Sequence, residues 1–254
     1  MIAFTREVSS SIERCELTHL HRTAINVDEA RRQHRAFEQV LATLGCEVRR
    51  LPEAPDLPDS VFVQDAAIVF DEVAIIARPG AESRRPESAS VAEALAPFRP
   101  LRMIESPGTL DGGDVISMGR SVFVGQSART NRDGIRLVEA ILGPFGYSVH
   151  SVTVTGCLHL QTAVTPVADN LLLVNPAWID PKILGPMDWI EVDPAEPFAA
   201  NALRVGDAVI HPLEFSRTRR LLESRGVQVI SVDVSELAKA EAGVTCCCIL
   251  VPVR

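Results

Sequence analysis

The chain has 254 residues, of which 46% are hydrophobic and 23% charged, and this composition is typical of a globular protein. A formal net charge of −8 and an isoelectric point near 5.3 argue against a nucleic-acid partner, which would require a dense basic face. The apolar runs are too short to span a membrane, and the first residues lack the pattern of a secretory signal. Six cysteines without the spacing of a disulfide framework favour the cytoplasm.

Candidate helices and β-hairpins alternate along the chain. The first helix is predicted for DEARRQHRAFEQVLATLG, where a cap at Asp28 and a stop at Gly45 enclose a stripe of apolar residues. Later helices are predicted for PESASVAEALAPF, NRDGIRLVEAILGPFG and EFSRTRRLLESRG, of which the first has the weakest pattern. Each hairpin is a pair of apolar, β-branched runs, and the turns are predicted at Asp71–Glu72, Gly119–Arg120, Asp169–Asn170 and Gly206–Asp207.

The hairpins belong to a repeat with a period of about 45 residues. One polar or reactive residue marks the head of each first strand: Asp65, Asp111, His159, Asn201 and Cys246. The fifth unit is complete if the C-terminal GVTCCCILVPVR pairs with the N-terminal MIAFTREV. We therefore predict one α/β domain, residues 1–254, in which five strand–strand–helix–strand units close around an axis, because closure removes exposed sheet edges.

Closure of the ring would bring the five marker residues together. Residues that begin equivalent strands lie at the same end of the ring, near its axis. One pocket would then hold two carboxylates, an imidazole, an amide and a thiol. A thiol, an imidazole and a carboxylate can serve as nucleophile, proton carrier and electrostatic partner.

Each of these residues also has an ordinary structural interpretation. Cys246, Cys247 and Cys248 are adjacent in what reads as the last strand, where alternation places the first and third on one face. Their spacing is wrong for zinc, so they either fill the core or include one nucleophile beside two packing residues. Asp111 in LDGGD fits a turn as well as a ligand-facing carboxylate, and His159 alone fits a buried core residue.

Several short sequence motifs, taken together, resemble those of the dimethylarginine dimethylaminohydrolase family: LPDSVFVQD, RPGAESRR, TLDGGDV, VGQSARTN, LHL, AANAL and GVTC. The resemblance covers nearly the whole chain, and the motifs together are specific for the family although no single motif is. It implies the pentein fold, a five-bladed pseudo-fivefold α/β propeller of ββαβ repeats, in agreement with the repeat described above. It also implies a small guanidine as the partner and no metal or organic cofactor, while self-association into a homodimer stays open.

The resemblance implies roles for individual residues. Cys246 would be the nucleophile, His159 the general acid and base, and Asp111 its acidic partner. Asp65 would hold the guanidinium, and Arg84 and Arg129, otherwise ordinary loop charges, would grip the carboxylate of the substrate. The positions that match substrate-binding residues of the family are Leu17 in the lid, Asp59, Gln64, Asp65, Arg84, Arg129 and Ala240.

The implied reaction hydrolyses Nω,Nω-dimethyl-L-arginine or Nω-monomethyl-L-arginine to L-citrulline and dimethylamine or methylamine, through a thiouronium bound to Cys246. Two positions depart from the family pattern: Gln64 stands where Glu is usual, and Glu241 where Asp is usual. Because Gln64 removes an anion beside Asp65, the guanidine preference stays open. The alternatives are another guanidine hydrolase, such as an arginine deiminase-like enzyme, an amidinotransferase, or a non-catalytic binder of arginine-like ligands.

Overall fold

Five three-stranded sheets follow one another as blades around a common axis in the computed structural model, which describes residues 1–253. In every blade the second strand is central, antiparallel to the first and parallel to the third. The strands of the described part are β1 (Ile2–Arg6), β2 (Glu47–Leu51), β3 (Ala67–Val69), β4 (Ala74–Ile76), β5 (Leu101–Met103), β6 (Val115–Met118), β7 (Ser121–Gln126), β8 (Ser148–Thr153), β9 (Val164–Ala168), β10 (Leu171–Val174), β11 (Asp188–Glu191), β12 (Leu203–Val205), β13 (Ala208–Pro212), β14 (Gln228–Val232) and β15 (Ile249–Val251).

The first blade is built from both ends of the chain. β15 pairs antiparallel with β1, so that Ile2 lies opposite Val251 and Phe4 opposite Ile249. β2 adds to the other edge of β1 in parallel. The predicted pairing of the two termini is confirmed, and it supplies the fifth blade that closes the ring.

Helices connect the second and third strands of four blades. These connecting helices are α1 (Val27–Thr43), α2 (Glu87–Leu95), α3 (Arg132–Leu142) and α5 (Ser216–Ser224). Two short helices, α4 (Leu160–Ala163) and α6 (Ser235–Ala238), instead precede the first strands β9 and β15. The predicted cap of α1 at Asp28 is wrong, because the side chain of Asn26 caps this helix by accepting a hydrogen bond from the backbone N–H of Glu29.

The fourth blade departs from the ββαβ pattern. Between β10 and β11 the chain forms only a 3-10 helix, Pro181–Leu184, in place of an α-helix. Prolines at positions 176, 181 and 186 in this connection lack the backbone N–H that an extended α-helix would need. The four predicted hairpin turns are all confirmed, and the turn between β12 and β13 uses Gly206 at a φ of 61°.

One hydrophobic cluster lies between each pair of neighbouring blades. Ile2 and Phe4 of the first blade, for example, pack with Ala74 and Ile76 of the second, and Val91 of α2 covers them. Equivalent clusters join the second blade to the third, the third to the fourth, the fourth to the fifth and the fifth back to the first. Because no blade buries its faces alone, the ring is stable only when it is closed. Across residues 1–253, no helix has the length and apolar character that crossing a membrane requires.

Close approach of neighbouring blades near the axis requires a glycine at position 112. A Cβ atom there would lie 2.0 Å from the backbone oxygen of Gln64, which belongs to the preceding unit. We predict that Gly112→Ala lowers the free energy of unfolding by about 1–3 kcal/mol, because the two backbones must separate. Denaturant unfolding measures the change. Gly143→Ala is the matched control, since a Cβ atom at that position meets nothing within 4 Å; equal stability of the two variants would contradict the prediction.

Candidate active site

The five marker residues lie in or beside the segments that lead into the first strands of the five units. Asp65 lies in the 3-10 helix Val63–Ala66, Asp111 precedes the 3-10 helix Gly112–Asp114, and His159 caps α4. Asn201 lies two residues before β12, and its amide joins neighbouring units by donating to the hydroxyl of Thr245 at 2.8 Å. The repeat brings these segments together, but the prediction of one pocket lined by all five residues is wrong, because Asp111 and Asn201 do not line the cavity that contains Asp65, His159 and Cys246.

The placement of the three adjacent cysteines on the last strand was wrong. Cys246 and Cys247 lie in the 3-10 helix Thr245–Cys247, and β15 begins only at Ile249. This turn is fixed by the side-chain oxygen of Asn201, which accepts from the N–H of Thr245 at 3.1 Å. Because a 3-10 helix turns once in about three residues, neighbouring thiols point in different directions. All three cysteines belong to the core cluster between the fifth and first blades, but only Cys246 also lines the cavity described below.

The cavity lined by Cys246 holds most of the predicted site residues. Its volume is about 10 Å³, which is room for about one water molecule. The predicted residues that line it are Asp59, Asp65, Arg84, Arg129, His159, Ala240 and Cys246. Glu16, Phe62, Leu158, Glu241 and Ala242 complete the wall and were not predicted as site residues. A molecule the size of an amino acid can enter only if part of this wall moves.

His159 is held inside the site by carboxylates. One nitrogen of its ring, Nε2, lies 3.1 Å from Oδ2 of Asp111, and Nδ1 lies 3.9 Å from Oδ1 of Asp65. Burial disfavours the imidazolium, but the charges of Asp65, Asp111 and Asp114 and the hydrogen bond to Asp111 outweigh it and raise the pKa of His159 to about 9. The imidazole therefore carries a proton at neutral pH.

Asp65 is buried, and its carboxylate accepts two hydrogen bonds from the protein. Nη1 of Arg84 donates to its Oδ2 at 2.8 Å, and the N–H of Gly113 donates to its Oδ1 at 3.1 Å. Burial opposes ionisation of Asp65, but His159 and Arg84 together lower its pKa below the usual value. A carboxylate fixed in its charged form at the cavity wall suits a cationic ligand.

The guanidinium of Arg84 is already hydrogen-bonded to oxygen atoms of the protein. Besides Asp65, it donates to both carboxylate oxygens of Glu87 and to backbone oxygens of Asp59 and Phe62. Burial raises the pKa of Glu87 to about 7, although Arg84 acts in the opposite direction. Sequence reasoning missed Glu87; the signal available was its position three residues after Arg84, a spacing at which helical side chains meet.

Arg129 has fewer hydrogen bonds to the protein than Arg84 and is therefore more available to bind a ligand. Its Nη2 donates to the hydroxyl of Thr18 at 3.0 Å, whereas Nη1 is buried without a hydrogen-bond partner and lies 4.0 Å from Oδ2 of Asp111. A buried guanidinium nitrogen without an acceptor is costly.

The thiol of Cys246 is neutral in this state. Its side chain is 9% exposed, and the N–H of Gly243 donates to Sγ at 3.4 Å. Burial and the charge of Asp65 raise the pKa of Cys246 to about 11. A cation placed between the thiol and Asp65 would oppose both effects and favour the thiolate.

Two predicted substrate contacts are not brought into this cavity. Gln64 lines a separate pocket of about 390 Å³ along the axis, formed by the first strands of all five blades, and its Nε2 donates to the backbone oxygen of Gly112 at 2.9 Å. Leu17 is half-buried against the core cluster between the fifth and first blades. Asp111 is fully buried behind His159. The substrate contacts of Gln64 and Leu17 stay predictions.

Glu241, which lines the cavity, holds the segment 18–20; this segment is called the lid below. Its carboxylate accepts hydrogen bonds from three successive backbone N–H groups, those of Thr18, His19 and Leu20. Glu241 itself has a φ of 60°, which is uncommon for a residue other than glycine. A larger pocket of about 450 Å³ is lined by His19 and Leu20 of the lid and shares Leu158, Glu241 and Ala242 with the cavity. It contains neither Cys246 nor His159.

The cluster of Asp65, Asp111 and His159 also has the spacing of a metal site. One ligand atom from each residue lies within 4.8 Å of the others. The hydrogen bonds already described occupy these carboxylates, and a protonated imidazole cannot coordinate a metal. The cluster therefore fits an organic cation better than a metal ion.

Comparison with known proteins gives the same family as the resemblance. The family described as N,N dimethylarginine dimethylhydrolase, eukaryotic, matches residues 4–183. The chain is 37% identical over 232 residues to the N(G),N(G)-dimethylarginine dimethylaminohydrolase of Pseudomonas aeruginosa, which covers 91% of each chain. It is 37% identical over 245 residues to the protein of that name from Streptomyces coelicolor, which covers 96% of this chain and 94% of the relative.

Solved structures agree in fold. A mutant of the Pseudomonas aeruginosa enzyme complexed with citrulline superposes with a TM-score of 0.93 at 35% identity and covers 97% of each chain. The N-terminal domain of a cyanobacterial arginine dihydrolase superposes with a TM-score of 0.87 at 19% identity, a likeness of fold alone. The fold is the five-bladed α/β propeller of the pentein class. The chain belongs to the dimethylarginine dimethylaminohydrolase family.

We predict that Glu241→Gln loosens the lid. The amide keeps the length of the side chain, but a neutral oxygen binds three N–H groups less strongly than a carboxylate does, by about 1 kcal/mol. Amide hydrogen exchange at Thr18, His19 and Leu20 should become about fivefold faster. Glu196→Gln is the control, because that carboxylate accepts from the N–H groups of Arg217 and Thr218 at the start of α5. Unchanged exchange in the lid of Glu241→Gln would show that another contact holds it.

Proposed function

We propose that this enzyme hydrolyses Nω,Nω-dimethyl-L-arginine to L-citrulline and dimethylamine, and Nω-monomethyl-L-arginine to L-citrulline and methylamine. The observation that carries the proposal is one buried cavity whose wall combines the thiol of Cys246, the imidazole of His159, the carboxylate of Asp65 and the unsatisfied guanidinium nitrogen of Arg129. These groups match, one by one, the nucleophile, proton carrier, cation ligand and carboxylate ligand that the reaction requires.

Binding of the substrate prepares the thiol for attack. The guanidinium lies against Asp65, and the α-carboxylate meets Nη1 of Arg129. The lid must open to admit the substrate, because the closed cavity has a volume of about 10 Å³. Once bound, the guanidinium offsets the charge of Asp65 that raises the pKa of Cys246, so the thiol loses its proton more readily.

His159 then acts first as an acid and afterwards as a base. The Cys246 thiolate attacks the guanidinium carbon and forms a C–S bond. Protonated His159 gives its proton to the dimethylamine nitrogen, the C–N bond breaks, and a thiouronium remains on Cys246. Neutral His159 takes a proton from water, and the resulting hydroxide attacks the same carbon. The C–S bond then breaks, the hydroxyl proton of the adduct passes to the sulfur of Cys246, and citrulline leaves. The charge of Asp111, at 3.1 Å, stabilises the imidazolium in both half-reactions.

The reaction needs no metal or organic cofactor, because the protein and the substrate supply the nucleophile, the acid and the electrostatic stabilisation. We assign the protein to the cytoplasm; the support is six free cysteines, which a reducing compartment preserves. Arginine itself was the alternative substrate. The curated relatives that share 37% of their residues with this chain are named for dimethylarginine, which favours the methylated substrate.

Turnover should depend on only one of the three adjacent thiols. We predict that Cys246→Ser lowers kcat by more than ~10³-fold, because a serine hydroxyl is a far weaker nucleophile at this position. Cys248→Ser should keep kcat within about threefold of the wild-type value, because Cys248 packs in the core cluster and does not line the cavity. Citrulline formation from dimethylarginine measures both. A folded Cys246→Ser enzyme with wild-type kcat would exclude Cys246 as the nucleophile.

Arg129 and Arg84 should differ in their effects on binding. We predict that Arg129→Ala raises the KM for dimethylarginine by roughly 10- to 100-fold, the value of one hydrogen bond between charged groups. The same change should leave the KM for N-butyl-N′,N′-dimethylguanidine, which has no carboxylate, within about threefold.

Arg84→Ala is the comparison. It leaves Asp65 and Glu87 buried without their cation, so it should reduce the free energy of unfolding by about 3–5 kcal/mol and impair both substrates equally. If Arg129→Ala raised both KM values to the same extent, Arg129 would support the loop without contacting the substrate carboxylate.

A further inference from the structure

A carboxylate outside the cavity, that of Asp114, links two parts of the proposed site. Asp114 is fully buried at the end of the 3-10 helix Gly112–Asp114. Its Oδ1 accepts from the N–H of Leu160 at 3.0 Å, and its Oδ2 accepts from the hydroxyl of Ser127 at 2.6 Å. It does not line the cavity, so it touches no bound substrate.

One branch of this network leads to His159. Leu160 follows His159 directly and begins α4, so the bond from its N–H to Asp114 fixes the turn that carries the imidazole. The site for this carboxylate is tight, since a Cβ atom on Gly125 would lie 2.7 Å from Oδ1 of Asp114. The turn and the carboxylate therefore cannot shift independently.

The other branch leads to Arg129. The hydroxyl oxygen of Ser127, which donates to Asp114, accepts from the N–H of Arg129 at 3.0 Å and from the N–H of Thr130 at 3.2 Å. The hydroxyl oxygen of Thr130 in turn accepts from the N–H of Asp111 at 3.1 Å. Arg129, Thr130 and Asp111 are thus tied to the same buried carboxylate.

We propose that Asp114 is a positioning residue that sets the relative placement of His159 and Arg129, through Leu160 on one side and Ser127 on the other. The inference rests on the proposed function, because it assigns the two residues to the reacting end and the carboxylate end of one substrate. A shift of either one misplaces the guanidinium carbon relative to the proton donor, and small displacements of this kind cost large factors in rate.

Asp114 also contributes charge to the imidazole. The groups that face His159 are Asp65, Asp111 and Asp114, and all three raise its pKa. Burial raises the pKa of Asp114 to about 6, while His159, Ser127, Thr130 and the N–H of Leu160 oppose this effect. Asp114 is therefore ionised above about pH 6 and helps to keep His159 protonated.

Two variants separate the branches. Asp114→Asn keeps the shape of the side chain but removes its charge and weakens both branches, whereas Ser127→Ala removes the branch to Arg129, Thr130 and Asp111 and keeps the charge of Asp114. We expect Asp114→Asn to lower kcat for dimethylarginine at least ~10-fold and to move the alkaline limb of kcat/KM, which the raised pKa of His159 sets, to lower pH. Ser127→Ala should raise KM for dimethylarginine several-fold, lower kcat less than Asp114→Asn does, and leave the alkaline limb in place. Asp188→Asn, which removes an exposed charge on β11, is the control for net charge and should match the wild type.

A titration followed by NMR makes the result independent of turnover. In histidine-labelled protein the His159 imidazole, identified by its loss in His159→Gln, should titrate at lower pH in Asp114→Asn than in wild type and Ser127→Ala. The inference is overturned if Asp114→Asn leaves kcat, the alkaline limb and the titration of His159 unchanged. It is also overturned if kcat falls while the limb and the titration stay in place, which would mean a structural role only. Failure of the wild type to hydrolyse dimethylarginine would refute the proposed function, and the titration would still decide the role of Asp114.

Discussion

A protonated imidazole buried among carboxylates is the interaction on which the rest of the site depends. His159 is 3% exposed and lies 3.1 Å from Asp111 and 3.9 Å from Asp65. Charges removed from water cost several kcal/mol each unless they are paired and hydrogen-bonded. Hydrogen bonds from the protein meet this requirement. Asp65 accepts from the side chain of Arg84 and from the backbone N–H of Gly113, and Asp111 accepts from the backbone N–H of Gly80.

The wall of the cavity carries groups that favour a cation and a group that favours an anion. Asp65 and the neutral thiol of Cys246 favour the arrival of a cation, and the guanidinium of Arg129, whose Nη1 has no hydrogen-bond partner, favours the arrival of an anion. A zwitterionic amino acid with a guanidinium side chain supplies both. The same distribution of charge explains why the proposed nucleophile has a raised pKa in the free enzyme, because the cation that would favour its thiolate is the substrate itself.

Closure of the ring places these groups together. Of all the features of the structure, this closure could be predicted most directly from the sequence. The period of about 45 residues, the four hairpin turns and the pairing of β15 with β1 all follow from local patterns of turn residues and β-branched runs. Closure then brings Asp65, Asp111, His159 and Cys246 to one end of the axis, although they are far apart along the chain.

Other features could not be derived from those patterns, because they depend on contacts between units. The direction of Gln64 is set by its bond to the backbone of Gly112 in the next unit, and the pairing of Glu87 with Arg84 is set by the burial of both side chains. The bonds between Glu241 and the lid join segments more than two hundred residues apart. The 3-10 helix at Thr245–Cys247 was mistaken for a strand because the apolar run does not show where helical turn ends and strand begins.

The central claim, that the chemistry passes through a bond to Cys246 and needs His159 to resolve it, can be tested by mass spectrometry. His159→Ala should react slowly with dimethylarginine and accumulate an adduct, because the base that activates water is missing. The predicted result is a mass increase equal to the substrate less dimethylamine, located on Cys246 by fragmentation of the peptide that also contains Cys247 and Cys248. A His159→Ala enzyme that forms citrulline at the wild-type rate, or an adduct on another cysteine, would contradict the account.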